Sequence, residues 1–327
     1  MKVVQVGIGG MGNVWLQTVL ASKHVEFAGF VEVNDAVIGT QVARYGLDSA
    51  VVFPTLDEAL SALEPDGVID VTPPQFHRSV SLRALEAGVP VLSEKPLAPT
   101  LSEAREIVAA ANSTGVLHMV AQNYRYSPAA QTLRQALDPA VIGEIGAVSI
   151  EFYKSPHFGG FREEMAYPLV VDMAIHHFDL LRFLLGANAV SVFGRSWNPA
   201  WSWYQGDASA SALVEFPGGL TAAYNGSWCA TGRETPWNGN WRFDCAKGVV
   251  SLLNDEVWVY PHGDQQAAHH VEPLTLTHAA QSYLLDEFYH AVTEATVPAT
   301  TCQDNIHSLS IVYNLVESFR TGAVVKV

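Results

Sequence analysis

The run Val3-Val4-Gln5-Val6-Gly7-Ile8-Gly9-Gly10-Met11-Gly12 decides the fold. A short apolar strand breaks into the pattern G-x-G-x-x-G, and Val14 to Ala21 then reads as a helix. Each glycine has a separate task in such a turn: the tight bend, the close approach of backbone to a pyrophosphate, and the contact of helix with strand. The helix N-terminus adds amide donors and positive partial charge. Glu32 stands twenty residues after Gly12, near the end of the strand-like run Phe27 to Val33. An acidic side chain there meets the adenosine ribose hydroxyls. No Lys or Arg follows it before Arg44, and a carboxylate repels a 2′-phosphate, so the pattern favours NAD over NADP. Gly7, Ile8, Gly9, Gly10, Met11, Gly12 and Glu32 are therefore the expected dinucleotide contacts.

Working outward, strand and helix patterns alternate through the first 120 or so residues. Helical segments are expected at Asp35 to Tyr45, at Asp57 to Leu63 with Thr55 as cap, at His77 to Ala87, and at Ser102 to Asn112 with Ser102 as cap. Strands are expected at Gly67 to Val71, Val89 to Ser93 and Val116 to Gln122. This alternation predicts an α/β fold whose first domain, residues 1–122, is a Rossmann-type parallel sheet. The remainder, 123–327, reads as a second α/β domain with a large, mostly antiparallel open sheet. Helices at Ser127 to Leu137 and Leu169 to Leu184 come with strand candidates from Val148 to Tyr260 separated by turns such as Pro217-Gly218-Gly219. Ala279 to Thr293 and Ile306 to Arg320 close the chain as helices that can return to the first domain.

The composition excludes several functions. The chain has 327 residues, 18 Lys and Arg against 33 Asp and Glu, and a formal net charge of −15. That charge argues against a nucleic-acid footprint or an anionic membrane surface. Phosphate must be held by backbone amides. No run of 18 apolar residues occurs, and the three cysteines, Cys229, Cys245 and Cys302, form neither a CxxC pair nor a disulfide framework. The expectation is a cytoplasmic protein with no metal, no nucleic-acid partner and no membrane.

Two further motifs carry chemistry. Ser93-Glu94-Lys95-Pro96 follows a predicted parallel strand, at the sheet edge where open α/β folds bind ligands. A lysine there can hold a substrate hydroxyl and stabilise a developing alkoxide. It can equally be a solvated surface lysine. Asp172-Met173-Ala174-Ile175-His176 puts a carboxylate and an imidazole on one face of a helix. The pair suits a general base with its orienting partner. It is also compatible with a hydrogen-bonded core histidine, or with a metal site completed by a third ligand.

Val71-Thr72-Pro73-Pro74-Gln75-Phe76-His77, Ala87 to Ala98 with its Glu-Lys-Pro, the N-terminal glycine loop, and Asp172 to Gly186 together resemble the glucose–fructose oxidoreductase / inositol dehydrogenase / rhizopine-catabolism (Gfo/Idh/MocA) family, in the same order along the whole chain. The resemblance implies that Lys95 holds the substrate hydroxyl, His176 removes its proton and Asp172 orients the site or binds a neighbouring hydroxyl. It implies that Thr72, Pro73, His77, Glu94, Lys95 and Asn123 line the dinucleotide. Arg125 and Tyr126 fall where the family often faces substrate, and Tyr283 where the last segment reaches the cofactor. Just before the Asp-x-x-x-His helix, where many members have glycines, this chain has Met165-Ala166-Tyr167-Pro168-Leu169.

Six of the eight tryptophans lie between residues 197 and 241. Their faces suit stacking on sugars, and equally a subunit interface. His157 and Arg162, before the catalytic helix, are further candidate substrate contacts. The sequence thus points to an NAD-dependent dehydrogenase acting on a sugar, polyol or inositol-like secondary alcohol. A redox-neutral glycoside hydrolase that keeps NAD bound, or a non-catalytic dinucleotide or sugar sensor, remain as alternatives. An open sheet needs cover, so a homodimer or homotetramer is expected.

Overall fold

A computed structural model describes residues 1–264 and 267–327. The chain divides into two units, residues 1–123 with 278–306, and residues 124–277 with 307–327. A single cut therefore does not separate them.

In the first unit the chain runs β1 (Lys2–Val6), α1 (Gly10–Leu20), β2 (Glu26–Val31), α2 (Asp35–Tyr45), β3 (Val52–Phe53), α3 (Leu56–Leu63), β4 (Gly67–Asp70), α4 (Pro74–Glu86), β5 (Val91–Ser93), α5 (Leu101–Thr114) and β6 (His118–Val120). The six strands form one sheet in the order β3-β2-β1-β4-β5-β6, and every neighbouring pair is parallel. The order reverses between β1 and β4, which opens a crevice at the carboxyl ends of the strands. Val4, Val6, Val31, Leu60, Val68, Ala84 and Val91 pack under one face, and Ile8, Leu16 and Phe30 form a second cluster. Burying each of the larger of these side chains contributes about 1.5–3 kcal/mol.

Caps set the helix starts. The Thr55 hydroxyl accepts from Glu58 N at 3.3 Å, as the sequence predicts. For α5 the cap is Thr100 rather than Ser102. Its hydroxyl accepts from Glu103 N at 3.2 Å and donates to the Glu103 carboxylate at 2.7 Å. Thr-x-x-Glu satisfies an orphan amide at the helix start, and Ser102, two residues later, already lies inside the first turn.

The second unit continues with α6 (Pro128–Ala136), α7 (Pro139–Ile142), β7 (Ile145–Tyr153), α8 (Phe161–Glu164), α9 (Ile175–Leu185), β8 (Ser191–Trp197), β9 (Ser209–Glu215), β10 (Thr221–Ser227), β11 (Asn240–Cys245), β12 (Gly248–Leu253), β13 (Glu256–Pro261) and β14 (His269–Val271). α10 (Ala280–Glu294) belongs to the first unit, and α11 (Cys302–Thr321) carries the chain back to the second, which ends in β15 (Val325–Lys326). The nine strands lie in the order β14-β13-β12-β11-β7-β10-β9-β8-β15, antiparallel except for the pair β10–β7. Burial alternates along the central strands, so Ser149, Glu151, Leu213, Asn225 and Arg242 share an exposed face while Val148, Ile150, Val214 and Phe243 face inward. The segment expected as one α-helix from Leu169 to Leu184 begins instead as a π-helical turn, Leu169–Ala174, that becomes α9. Gly186, at φ 61°, closes α9 through its N–H to Arg182 O. Among the described residues, no helix is long and apolar enough to cross a membrane.

Candidate functional site

The glycine loop after β1 is built from two kinds of glycine. Gly7 has φ 87°, and a Cβ there would lie 2.8 Å from Val71 O; a Cβ on Gly12 would lie 2.5 Å from Gly7 O. These two glycines allow close packing. A Cβ on Gly9 or Gly10 would meet nothing within 4 Å, so the space above them is open. α1 has no side-chain cap, which leaves its first amides to a ligand. Ile8 is buried and Met11 half-exposed. A cleft of 490 Å³ adjoins the loop, lined by Gly9, Gly10, Asn13, Asn34, Gln41 and Arg44 among others. The loop and cleft fit a dinucleotide pyrophosphate and its adenosine end.

Gln5 is a contributor that sequence reading missed. Buried inside β1, its amide donates to Gly7 O and Gly12 O, both at 2.9 Å, and so ties the loop to the helix. A lone glutamine in an apolar strand is the signal that could have found it.

Glu32 sits at the end of β2 with its carboxylate facing the loop. Oε2 accepts from Ile8 N at 3.2 Å, and Oε1 from Val33 N at 2.9 Å and Asn34 N at 3.0 Å. Asn34 caps α2, its Oδ1 taking Ala36 N at 3.0 Å and Val37 N at 3.3 Å. The amides following β2 thus bind the chain's own acceptors.

The ends of β4 and β5 carry a buried polar network. Asp70 Oδ1 accepts from Thr72 N at 3.0 Å and from the Thr72 hydroxyl at 2.7 Å. Burial raises the Asp70 carboxyl above its usual range, against the opposing pull of His77 and Thr72. Pro73 is exposed and precedes α4, and His77 is fully buried on that helix. Glu94 is also buried. Its Oε1 accepts from the Trp15 indole at 2.8 Å and its Oε2 from Lys95 N at 3.1 Å. Burial raises the Glu94 carboxyl, opposed by the Trp15 hydrogen bond and the Lys95 charge. Lys95 is half-buried, and the Lys95–Pro96 bond is cis. Asn123, the last residue of this unit's first segment, is half-buried, and Tyr283 lies on α10, 37% exposed.

In the second unit, Asp172 lies in the π-helical turn and His176 in the first turn of α9. Inserted π-turns are frequent at functional sites. Asp172 Oδ2 accepts from Arg162 Nε at 2.7 Å, and the Arg162 guanidinium sits over Phe161 and Phe158. The His176 ring stacks on Tyr124, centroids 4.2 Å apart. Burial raises the Tyr124 hydroxyl well above its usual range, and the Asp172 charge adds to this. His157 stacks on Trp203 at 3.8 Å. The structure thus brings Arg162 to Asp172 and gives His176 and His157 aromatic partners. Tyr124 went unassigned in the sequence because nothing in the chain marks its neighbours, whereas Trp203 belongs to the tryptophan cluster read there as suited to sugar stacking or an interface.

Arg125 and Tyr126 lie inside the second unit. Both are buried, and Arg125 Nε and Nη2 each lie 2.6 Å from the buried Asp179 carboxylate. That fork-to-fork pair gives Arg125 a structural task, with Ser308 and Arg182 joining the same carboxylate. His177 is buried between Tyr224 and Trp237 O, and burial pushes it down to about 4. Among the described residues, no group of three or more His, Cys, Asp or Glu side chains is arranged to hold a metal ion.

The family model "Oxidoreductase family, NAD-binding Rossmann fold" matches residues 1–122, and the Gfo/Idh/MocA C-terminal domain matches residues 130–251. Protein y4oX of Sinorhizobium fredii is 29% identical, over 100% of this chain and 95% of its own length. The scyllo-inositol 2-dehydrogenase (NAD(+)) of Bacillus subtilis is 27% identical, over 98% of this chain and 94% of its own. Among solved structures, an oxidoreductase from Agrobacterium radiobacter in complex with NAD+, L-tartaric acid and magnesium superposes with TM-score 0.90 at 19% identity, covering 100% of this chain and 98% of that one. With both of its domains matched and the glycine loop, Glu-Lys-Pro turn and Asp-x-x-x-His helix in place, the chain belongs to the Gfo/Idh/MocA family of oxidoreductases.

Proposed function

We propose that this protein is an NAD-dependent dehydrogenase that oxidises a secondary alcohol of a sugar, polyol or inositol-like ring. The observation that carries the reading is the Asp172–His176 pair. Most neighbours of these two polar groups in the segment (Leu169, Val170, Met173, Ala174, Ile175, Phe178) are buried and apolar. A fold sets a carboxylate and an imidazole in such a segment at a desolvation cost, and such pairs cluster where protons are moved. The relative named scyllo-inositol 2-dehydrogenase supports a polyhydroxylated ring as the substrate class.

In this reading the amides of α1 and the Gly9–Gly10 loop hold the pyrophosphate, and Glu32 takes the ribose hydroxyls. Thr72, Pro73, His77, Glu94 and Asn123 shape the rest of the cofactor site. When bound, the nicotinamide supplies the hydride acceptor. Lys95 binds the reacting hydroxyl and steadies the negative charge that develops on its oxygen. His176 takes the hydroxyl proton at a ring nitrogen, with Tyr124 fixing the ring plane. Asp172 binds a neighbouring hydroxyl, and Arg162 holds that carboxylate in position, with His157 at the substrate side. A positioned base of this kind contributes about 10²–10⁴ in rate.

Preference for NAD over NADP follows from occupied donors. A 2′-phosphate needs amides or cations beyond β2. There Val33 N and Asn34 N are taken by Glu32, and Ala36 N and Val37 N by Asn34. The exposed face of the nine-stranded sheet is, in this reading, covered by a second copy in a homodimer or homotetramer, and the protein works in the cytoplasm.

The test is NADH formation, followed by near-ultraviolet absorbance, with a panel of sugars, polyols and inositols, and NADP in parallel. Turnover with one polyol and NAD supports the reading. Tightly bound NAD with no NADH formed, together with cleavage of aryl glycosides, replaces it with redox-neutral chemistry.

A further inference from the structure

His77 is fully buried, and both of its ring nitrogens meet backbone carbonyls. Nδ1 lies 2.7 Å from Pro96 O and Nε2 lies 2.8 Å from Thr72 O. A carbonyl oxygen only accepts, while a neutral imidazole has one N–H and one bare lone pair. In either neutral tautomer, one of the two contacts would set lone pair against lone pair at hydrogen-bond distance. The imidazolium alone donates to both.

We propose that His77 is held as an imidazolium, a buried cationic brace that ties the Thr72 loop after β4 to the Lys95–Pro96 turn after β5, and that it thereby acts as a positioning residue for Lys95. The first half stands on donor geometry alone; the second rests on the reading of Lys95 given above.

The surroundings suit a cation. From β4, Asp70 is bound through Thr72, the residue whose carbonyl receives Nε2, and its Oδ2 has no hydrogen-bond partner. From the turn after β5 come Glu94 and Lys95. The His77 charge opposes the effect of burial on both Asp70 and Glu94. Two acidic groups thus stand beside the two basic groups His77 and Lys95. From β6 comes His118, which is bonded to Ser81 and which burial, then the His77 charge, pushes down to about 3, so it adds no charge. Without the second ring proton, one of the two carbonyls would lose its donor and face a lone pair.

The experiment is ring ¹H–¹⁵N correlation on the full-length apo protein labelled in its 12 histidines, with His77 assigned through bonds in the wild type. At pH 8 the expected result is two protonated, exchange-protected nitrogens on His77. A single N–H, the pattern of a neutral tautomer, overturns the proposal whether or not the protein is a dehydrogenase. The positioning role is read from NAD affinity against pH in the wild type and in His77→Gln, whose amide offers two N–H groups that do not titrate. The wild type is expected to weaken by about tenfold through the pH range in which the NMR signal reports loss of the His77 proton, the equivalent of one hydrogen bond. His77→Gln is expected to stay flat there. Parallel pH profiles overturn the positioning role, and if His77→Gln does not fold, loss of the proton without loss of wild-type NAD affinity overturns it as well.

Discussion

Glu32 bears the heaviest load of any single residue in the cofactor site, because its carboxylate does two things. It holds Ile8, Val33 and Asn34 by their amides, and in the proposed reading it places negative charge where a 2′-phosphate would need to sit. Glu32→Ser removes the charge and frees two amides beyond β2. The kcat/KM ratio of NADP to NAD is expected to rise by about 10–100-fold, the equivalent of one or two charge-assisted hydrogen bonds. An unchanged ratio, measured with both cofactors on one substrate, would remove Glu32 as the selector. For the chemistry, His176→Ala is expected to lower kcat by about 10²–10⁴ with NAD affinity unchanged, by single-turnover kinetics and cofactor titration. A kcat within a factor of two of wild type would take His176 out of the mechanism. The sequence singles out these two residues because each lies at a fixed spacing from a motif: twenty residues after Gly12, and four after Asp172. Gln5, Tyr124 and Arg162's bond to Asp172 follow from tertiary placement, which spacing does not encode. Arg125 shows the converse. Its position along the chain points to substrate by resemblance alone, while its pairing with the buried Asp179 is visible only in the fold.

At the scale of elements, single side chains couple pieces that are far apart in sequence. Trp15 on α1 donates to Glu94 in the turn after β5, 79 residues away. Trp15→Phe keeps the ring but leaves Glu94 Oε1 without that donor. Stranding a buried carboxylate oxygen is expected to cost about 1–3 kcal/mol, read from urea unfolding. Glu94→Gln in the same background is expected to recover part of the loss, because it removes the buried charge. A loss of the same size in both backgrounds would mean that the bond carries no coupling. The parallel sheet and the alternation that builds it could be read from the sequence, since apolar runs bounded by glycine and proline state both period and length. The π-turn at Leu169–Ala174 could not, because its apolar residues satisfy an α-helical pattern equally well. Just before that helix, the Met165–Ala166 backbone is closely approached by Gly206. A Cβ on Gly206 would lie 2.2 Å from Ala166 O, and Asp207 N donates to that same carbonyl at 2.8 Å. Gly206→Ala must push the Met165–Ala166 backbone away. KM for substrate is expected to rise several-fold with NAD affinity unchanged.

Across the whole molecule, each unit encloses a neutral histidine that the unfolded chain would protonate. His118 on β6 is bonded to Ser81 in the first unit, and burial, helped by the His77 charge, pushes it down to about 3 from 6.5. His177 on α9 lies between Tyr224 and Trp237 in the second, and burial pushes it down to about 4 from 6.5. Between those values and 6.5 the unfolded state binds more protons than the folded one, so stability falls as pH falls. Each histidine contributes a slope of about 1.4 kcal/mol per pH unit in that window. Neither contributes above it, where both states are neutral. Because the two residues belong to different units, acid is expected to weaken both, and hydrogen exchange at β6 and at α9 should each lose protection between pH 6.5 and 4.5. His177→Gln offers an amide in place of the imidazole and does not titrate. It is expected to lower stability at pH 7 while flattening the pH slope at α9 and leaving the slope at β6 unchanged. A slope at α9 that persists in this variant would mean that carboxylates, not His177, set the acid limit of the second unit.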